Sequence, residues 1–212
     1  MGLFSDKVVE ETKQVLGGMT EPVRMTYFTQ EAECDHCTAT TRFVDEFTAL
    51  DERLVVERKH FLGDGELARQ MGVHHVPALL LHRPADGRPA VRYYGLPGGY
   101  EYGAFLKTLV LFSSGRFDQP LEKASLDLID RDINLKTFVL ATCPSCPVMV
   151  YLVNGLAYLS SRVTAEIIEA NTFVDLATRF TVGAVPKIII NETAEVVGVL
   201  PPEELIRRIL AG

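Results

Sequence analysis

Cys143-Pro144-Ser145-Cys146-Pro147 decides the fold. Residues 135–140 before it read as a buried strand, and residues 148–160 after it as an apolar helix. Two cysteines therefore fall on a strand-to-helix turn, one on either side of the first helical turn. The first backbone N–H groups of a helix lack partners, and its dipole is positive there. A thiolate at that place is stabilised, and its pKa falls below the free value of about 8.5. A second thiol three residues on lies within reach of the first. The pair can open and close as a disulfide with little backbone movement. If the helix starts at Pro144, Pro147 sits where a proline begins to cost a backbone bond, and tolerance or a slight bend is expected, not a break.

Working outward, the same arrangement appears twice. Cys34-Asp35-His36-Cys37 follows a strand at 23–29 and opens a helix reaching about residue 50. A shift of 109 residues puts Cys34 on Cys143 and Cys37 on Cys146. Without a gap it also puts Leu50 on Leu159, Val76 on Val185 and Pro77 on Pro186. Such self-similarity means two copies of one supersecondary plan. The first half reads as a helix at 3–16, with Phe4, Val8, Thr12, Val15 and Leu16 on one face. Then come the strand 23–29, the cysteine helix, a strand at 54–60, a short helix at 65–71, a hairpin of 78–81 with 90–94, and a helix at 100–112. Residues 113–120 read as a linker. The second half repeats this order: a helix at 121–133, the strand 135–140, the cysteine helix, a strand at 163–169, a short helix at 173–180, a hairpin of 187–190 with 195–199, and a helix at 202–210. Gly95-Leu96-Pro97-Gly98-Gly99 reads as a turn and not as a phosphate loop.

The 212 residues are 47% apolar and 23% charged, an ordinary globular balance. A net charge of −7 argues against nucleic acid or an anionic membrane as partner. The longest mostly apolar run is too short to span a bilayer. The first six residues show no basic region followed by an apolar stretch, so a cytoplasmic protein is expected. Four cysteines in that compartment are poor candidates for plain staples. All four belong to the two Cys-x-x-Cys pairs.

With its Cys-x-x-Cys between first strand and helix, and Val-Pro opening the third strand, each half resembles a thioredoxin fold. Two such units in one chain resemble the protein disulfide oxidoreductases, or glutaredoxin-like proteins, of thermophiles. A related arrangement is the N-terminal module of the flavin-containing component of alkyl hydroperoxide reductase, where by family expectation only the second unit keeps a pair. The resemblance implies an α/β fold of two tandem thioredoxin units, 1–117 and 118–212, each a mixed β-sheet flanked by helices. It implies reduction, oxidation or isomerisation of protein disulfides. Cys143 and Cys34 would attack, and Cys146 and Cys37 would resolve the mixed disulfide. Val76-Pro77 and Val185-Pro186 would be cis-proline loops that bind a substrate strand through its main chain. Asp35, His36, Pro144 and Ser145 would modulate the pairs, with His36 making the first site the more pH-sensitive. The redox-active cysteines need no bound cofactor. A flavoprotein of the thioredoxin-reductase kind is the expected electron partner, and a peroxiredoxin a further one.

Other readings compete. Two Cys-x-x-Cys pairs are also a zinc pattern, yet 105 residues separate Cys37 from Cys143. A smaller metal site would join Cys34 and Cys37 with His74 or His75; no metal is the preferred expectation. The first unit is alternatively a client-binding module with inactive cysteines. Six residues before each first cysteine, where thioredoxins bury an acid, stand Phe28 and Thr137. Glu31, Glu33 and Glu166 are the candidate substitutes, and Asp127, Asp130 and Asp132 read as solvated.

Overall fold

The structure is a computed structural model and describes residues 2–121 and 123–212. Met1 and Glu122 lie outside the described residues, and the expectations for the first unit and the 121–133 helix are not assessed at those two positions. The first half runs α1 (Asp6–Leu16), β1 (Val23–Thr29), α2 (Cys37–Thr48), β2 (Leu54–His60), α3 (Gly65–Gln70), β3 (Ala78–His82), β4 (Pro89–Tyr94) and α4 (Glu101–Ser114). The second runs α5 (Lys123–Asp127), β5 (Ile133–Val139), α6 (Cys146–Leu159), β6 (Val163–Glu169), α7 (Val174–Arg179), β7 (Lys187–Ile190), β8 (Ala194–Val197) and α8 (Pro202–Ala211).

Local chemistry sets these bounds. Ser5 starts α1 later than expected, its hydroxyl accepting the Val8 N–H. Val15 faces solvent, while Thr12 and Leu16 are buried. Gly115, in the left-handed conformation at φ 71°, ends α4 and moves the start of the linker from 113 to 115. The expected helix 121–133 shortens to five residues. Ile129 closes a turn onto Leu126, and Ile133 already belongs to the sheet, donating to the Arg162 carbonyl at 2.8 Å. β3 and β7 are continuous aliphatic runs because both of their faces are covered.

In each half the first strand pairs parallel with the second and antiparallel with the third, which pairs antiparallel with the fourth. The halves are not two sheets packed together. β4 pairs parallel with β6, Val91 to Tyr94 against Ala165 to Ile168, giving one eight-stranded sheet in the order β2-β1-β3-β4-β6-β5-β7-β8. One face carries the large core, built with α1, α2, α4, α6 and α8. The other is covered only around Phe28, Tyr94, Phe138 and Ile168, against residues of the short α3 and α7.

Polar bolts cross the joint. Asn154 of α6, fully buried, donates to the Tyr93 hydroxyl at 2.8 Å and the Thr108 hydroxyl at 3.1 Å. Arg83, 5% exposed, donates to the carbonyls of Ala157, Ser160 and Val163 at 2.7, 3.0 and 3.1 Å. It thereby caps the C-terminal end of α6 from the other half of the chain. Because β1, β4, β6 and β5 all run the same way, both cysteine pairs emerge on one edge of the sheet. Four strand steps separate β1 from β5, roughly 19 Å.

Candidate active site

α2 begins at Cys37 and α6 at Cys146, so the first cysteine of each pair lies on the turn before the helix. Both pairs are disulfides, with Cα–Cα separations of 5.4 Å for Cys34–Cys37 and 5.5 Å for Cys143–Cys146. Pro147 is the second residue of α6. Its missing N–H is one of the helix's orphans, so the proline is tolerated there without the loss of a helical bond. The N-cap residues His36 and Ser145 make no side-chain cap bond, which leaves the helix-start amides bare.

The two sites use those amides differently. The Cys146 N–H points at the Cys143 sulfur at 3.1 Å. The Cys37 N–H instead donates to the Cys34 carbonyl at 3.2 Å. Cys143 also lies 3.6 Å from the Ser145 hydroxyl. Around Cys34 stand the exposed carboxylates Glu31, Glu33 and Asp35, with His36 exposed beside them.

Val76-Pro77 and Val185-Pro186 are both cis. Each loop reaches the first cysteine sulfur of its own half: Cys34 Sγ lies 3.6 Å from the Val76 carbonyl, and Cys143 Sγ lies 3.9 Å from the Val185 carbonyl. The fold thus brings together eight of the twelve residues singled out from sequence, with the four intervening residues on the same turns.

Neither metal reading finds its ligands gathered among the described residues. The two pairs stand four strands apart, too far for a shared four-sulfur site. The His75 ring packs edge-on against Tyr94 and Phe173 at 6.0 and 5.9 Å. Among the described residues no three His, Cys, Asp or Glu side chains cluster to hold a metal ion.

The buried acid is in a place that sequence reasoning missed. Strand pairing shows Phe28 opposite Ala78 and Phe138 opposite Lys187, so β1 and β5 match at a shift of 110, not 109. The positions matching behind each pair are therefore Tyr27 and Thr137. Tyr27 bonds to the Cys37 carbonyl at 3.3 Å and to Thr41 at 3.0 Å, and burial raises its pKa, keeping it neutral. Glu31 and Glu33 are exposed, and Glu166 faces Asn134 and Lys136 on the opposite side of the sheet. Glu101, at the start of α4, is 3% exposed with neither oxygen hydrogen-bonded. Burial pushes its carboxyl up to about 8.

Glu101 belongs to the first half but faces the second. It lines a crevice of about 10 Å³ with Gly95–Gly98 on one side and Val139, Ala141 and Ile167 on the other. The Tyr100 N–H donates to the Ala141 carbonyl at 2.9 Å, two residues before Cys143. Gly99, at φ 60°, permits the approach, since a Cβ there would stand 2.2 Å from that oxygen. An acid at the start of a helix ordinarily complements the dipole in water, and nothing in the local sequence marks this one as buried.

Fold and site define the class: a tandem thioredoxin-fold protein with a Cys-x-x-Cys disulfide in each unit. A family model described as a thioredoxin domain matches residues 133–211. The protein disulfide oxidoreductase of Aeropyrum pernix superposes with a TM-score of 0.87 at 24% identity, over 97% of this chain and 92% of that one. The alkylhydroperoxide reductase component AhpF of Enterococcus faecalis gives a TM-score of 0.87 at 21% identity, over 97% of this chain and 99% of that one. In sequence the chain is 28% identical over 155 residues to the AhpF component of the alkyl hydroperoxide reductase of Pseudomonas putida, covering 70% of this chain and 28% of that protein. It is 23% identical over 175 residues to an NADH dehydrogenase of Ferdinandcohnia aciditolerans, covering 80% and 30% respectively. The chain thus spans less than a third of these curated relatives. No helix among the described residues is long and apolar enough to cross a membrane.

Proposed function

We propose that the chain is a thiol–disulfide oxidoreductase acting on protein disulfides, with Cys143 and Cys34 as attacking thiols and Cys146 and Cys37 as resolving thiols. The observation that carries this reading is the pairing of each cysteine couple with its own cis-Val-Pro loop on one edge of the sheet. A thiolate at Cys143 attacks the client disulfide, forming a mixed disulfide and releasing one client thiol. Cys146 then loses its proton, attacks the Cys143 sulfur and expels the second client thiol. Glu101, in the molecules where its carboxyl is ionised, is the group to take that proton: it is buried and unpaired, its pKa is raised to about 8, and it packs behind the strand that delivers Cys143. The carbonyls and amides of the Val76 and Val185 loops hold the client backbone without reading its side chains. The cysteines carry the electrons, so no bound cofactor is invoked.

The proposed electron partner is a flavoprotein reductase of the thioredoxin-reductase kind, in a cytoplasmic setting. A relay to a peroxiredoxin is the second reading, favoured by the AhpF relatives. The deciding experiment is insulin reduction and redox titration of Cys34→Ser/Cys37→Ser and Cys143→Ser/Cys146→Ser variants. Loss of turnover in at least one is expected; full wild-type turnover in both removes the assignment.

A further inference from the structure

The repeat leaves one seat filled and its counterpart open. In the second half, the strand β4 and the loop at 95–100 cover the side of β6 and the end of β5, and they carry Glu101 in with them. The matching surface of the first half is the free edge of β2 and the end of β1. β5 follows β1 by 110 residues and β6 follows β2 by 109, as the strand registers show. Val139, Ala141, Ile167 and Glu169 of the filled crevice therefore correspond to Thr29, Glu31, Arg58 and His60. Those four line an open groove of about 430 Å³ that reaches Cys37 and Thr41.

Chemistry as well as space separates the two seats. Apolar Ile167 becomes Arg58, Glu169 becomes His60 and Ala141 becomes Glu31, so the groove carries a guanidinium where the filled seat has an aliphatic side chain. Arg58 bonds Asp45 of α2 and lies 5.9 Å from the Tyr27 ring centre, at the mouth of the chamber behind Cys37. Gln30, also lining the groove, has a buried Oε1 with no hydrogen-bond partner, an acceptor waiting for an N–H. In the filled seat the Ala141 carbonyl has such a donor, Tyr100.

We propose that a partner protein completes the Cys34 unit by laying a strand parallel along β2 and placing a carboxylate-bearing loop in this groove. The inference rests on the reading that Cys34–Cys37 exchanges disulfides. The docked carboxylate takes the proton from the Cys37 thiol. The Cys37 sulfur then attacks Cys34 in the mixed disulfide, the Cys34–Cys37 bond forms, and the client thiolate leaves. A second copy of this chain is the wrong occupant. Tyr94 and Val197 hold matching places opposite Ala78 and Lys187, so β8 would bring Glu195 where β4 brings Arg92. Arg92 stands opposite Glu166; Glu195 would stand opposite Glu57, and like charges across a strand pair repel. The fitting partner carries a cation opposite Glu57 and, about nine residues later, an acid for Arg58 and His60.

The probe is a synthetic peptide of residues 89–103 of this chain, which holds Arg92 and Glu101 at that spacing. It is titrated by NMR into the full-length Cys143→Ser/Cys146→Ser variant. Saturable shifts at Thr29, Thr41 and His60 are expected, and their loss in Arg58→Glu. With a chromogenic aryl thiol loaded on Cys34, the peptide accelerates release by Cys37 about tenfold or more, and its Glu101→Gln version does not. No saturable shift at millimolar peptide, shifts that survive Arg58→Glu, or equal acceleration by both peptides overturns the proposal. If Cys34–Cys37 fails to exchange even with dithiothreitol, the functional reading of this pair falls instead, while the titration still decides the docking.

Discussion

Glu101 is the residue on which the chemistry of the second site is argued, and its burial has a thermodynamic signature. In the folded chain the carboxyl holds its proton to about pH 8; unfolded, it releases it near 4.5. Between those values the folded state binds the extra proton, so stability falls as pH rises, by about 1.4 kcal/mol per pH unit. Glu101→Gln removes that slope. Urea unfolding is expected to find the variant equal to wild type near pH 4.5 and more stable at pH 7, by about 3 kcal/mol. The same variant is expected to lose about tenfold or more in turnover through Cys143–Cys146. A gain in stability joined to a loss of activity separates a proton acceptor from a packing residue. The bare amides make a second prediction. Only Cys143 receives an N–H from its partner cysteine, and only Cys34 is flanked in sequence by exposed carboxylates, Glu31, Glu33 and Asp35. In the reduced protein, iodoacetamide is expected to trap Cys143 at lower pH than Cys34. Coincident rate profiles would remove the distinction. The cysteines and prolines were legible because their chemistry is written into adjacent residues. Glu101 was not, because its burial comes from a loop that docks on another repeat.

Among the elements, the strands were readable from sequence and the joints between them were not. β1, β2 and β6 keep the bounds expected from sequence; the sheet buries β1 and β6 along most of their length, whereas β2 is an edge strand with Glu57, Arg58 and His60 exposed. α5 escaped because Ile133 is claimed by β5, a tertiary choice that overrides the helical pattern of 121–133. The one-residue difference between the β1–Cys34 and β5–Cys143 loops escaped for a similar reason: an ungapped shift fits the cysteines and prolines but not the strands before them. Arg83 shows what an element owes to a residue distant in sequence. It satisfies three carbonyls at the end of α6 and after it, with Asp86 at 2.9 Å neutralising its charge. Arg83→Ala takes the guanidinium from all three acceptors, of which the Ser160 carbonyl keeps the Val163 N–H, and a loss of about 2–4 kcal/mol is expected in chemical denaturation. Arg83→Lys recovers only part, since one ammonium does not reproduce the guanidinium's spread of donors. A loss under about 0.5 kcal/mol for Arg83→Ala would show the cap to be dispensable.

At the scale of the whole molecule, duplication has produced one sheet rather than two adjoining domains. Strand β6 takes β4 as its neighbour, α6 packs its buried Asn154 onto Tyr93 and Thr108, and the buried Glu101 that faces the second half comes from the first. Cutting the chain at the expected boundary, 1–117 from 118–212, strips each piece of something it cannot replace. The second piece loses the cover of β6, the partners of Asn154, the cap of Arg83 and Glu101 itself. The first loses the strand that buries one edge of β4 and keeps α4 with its α6-facing side bare. Uncovered sheet edges and apolar helix faces favour aggregation over folding. The intact chain is therefore expected to unfold in a single transition, the same by circular dichroism and by tyrosine fluorescence. The isolated second piece is expected to lack a cooperative transition and to reduce insulin poorly, although both of its cysteines and its cis-proline loop are intact. Two separated transitions in the intact chain, or a stable and fully active 118–212 fragment, would mean that each repeat carries its own site. On the proposed role of Glu101, by contrast, the first repeat is part of the catalytic apparatus of the second, and that dependence is what the fragment measures.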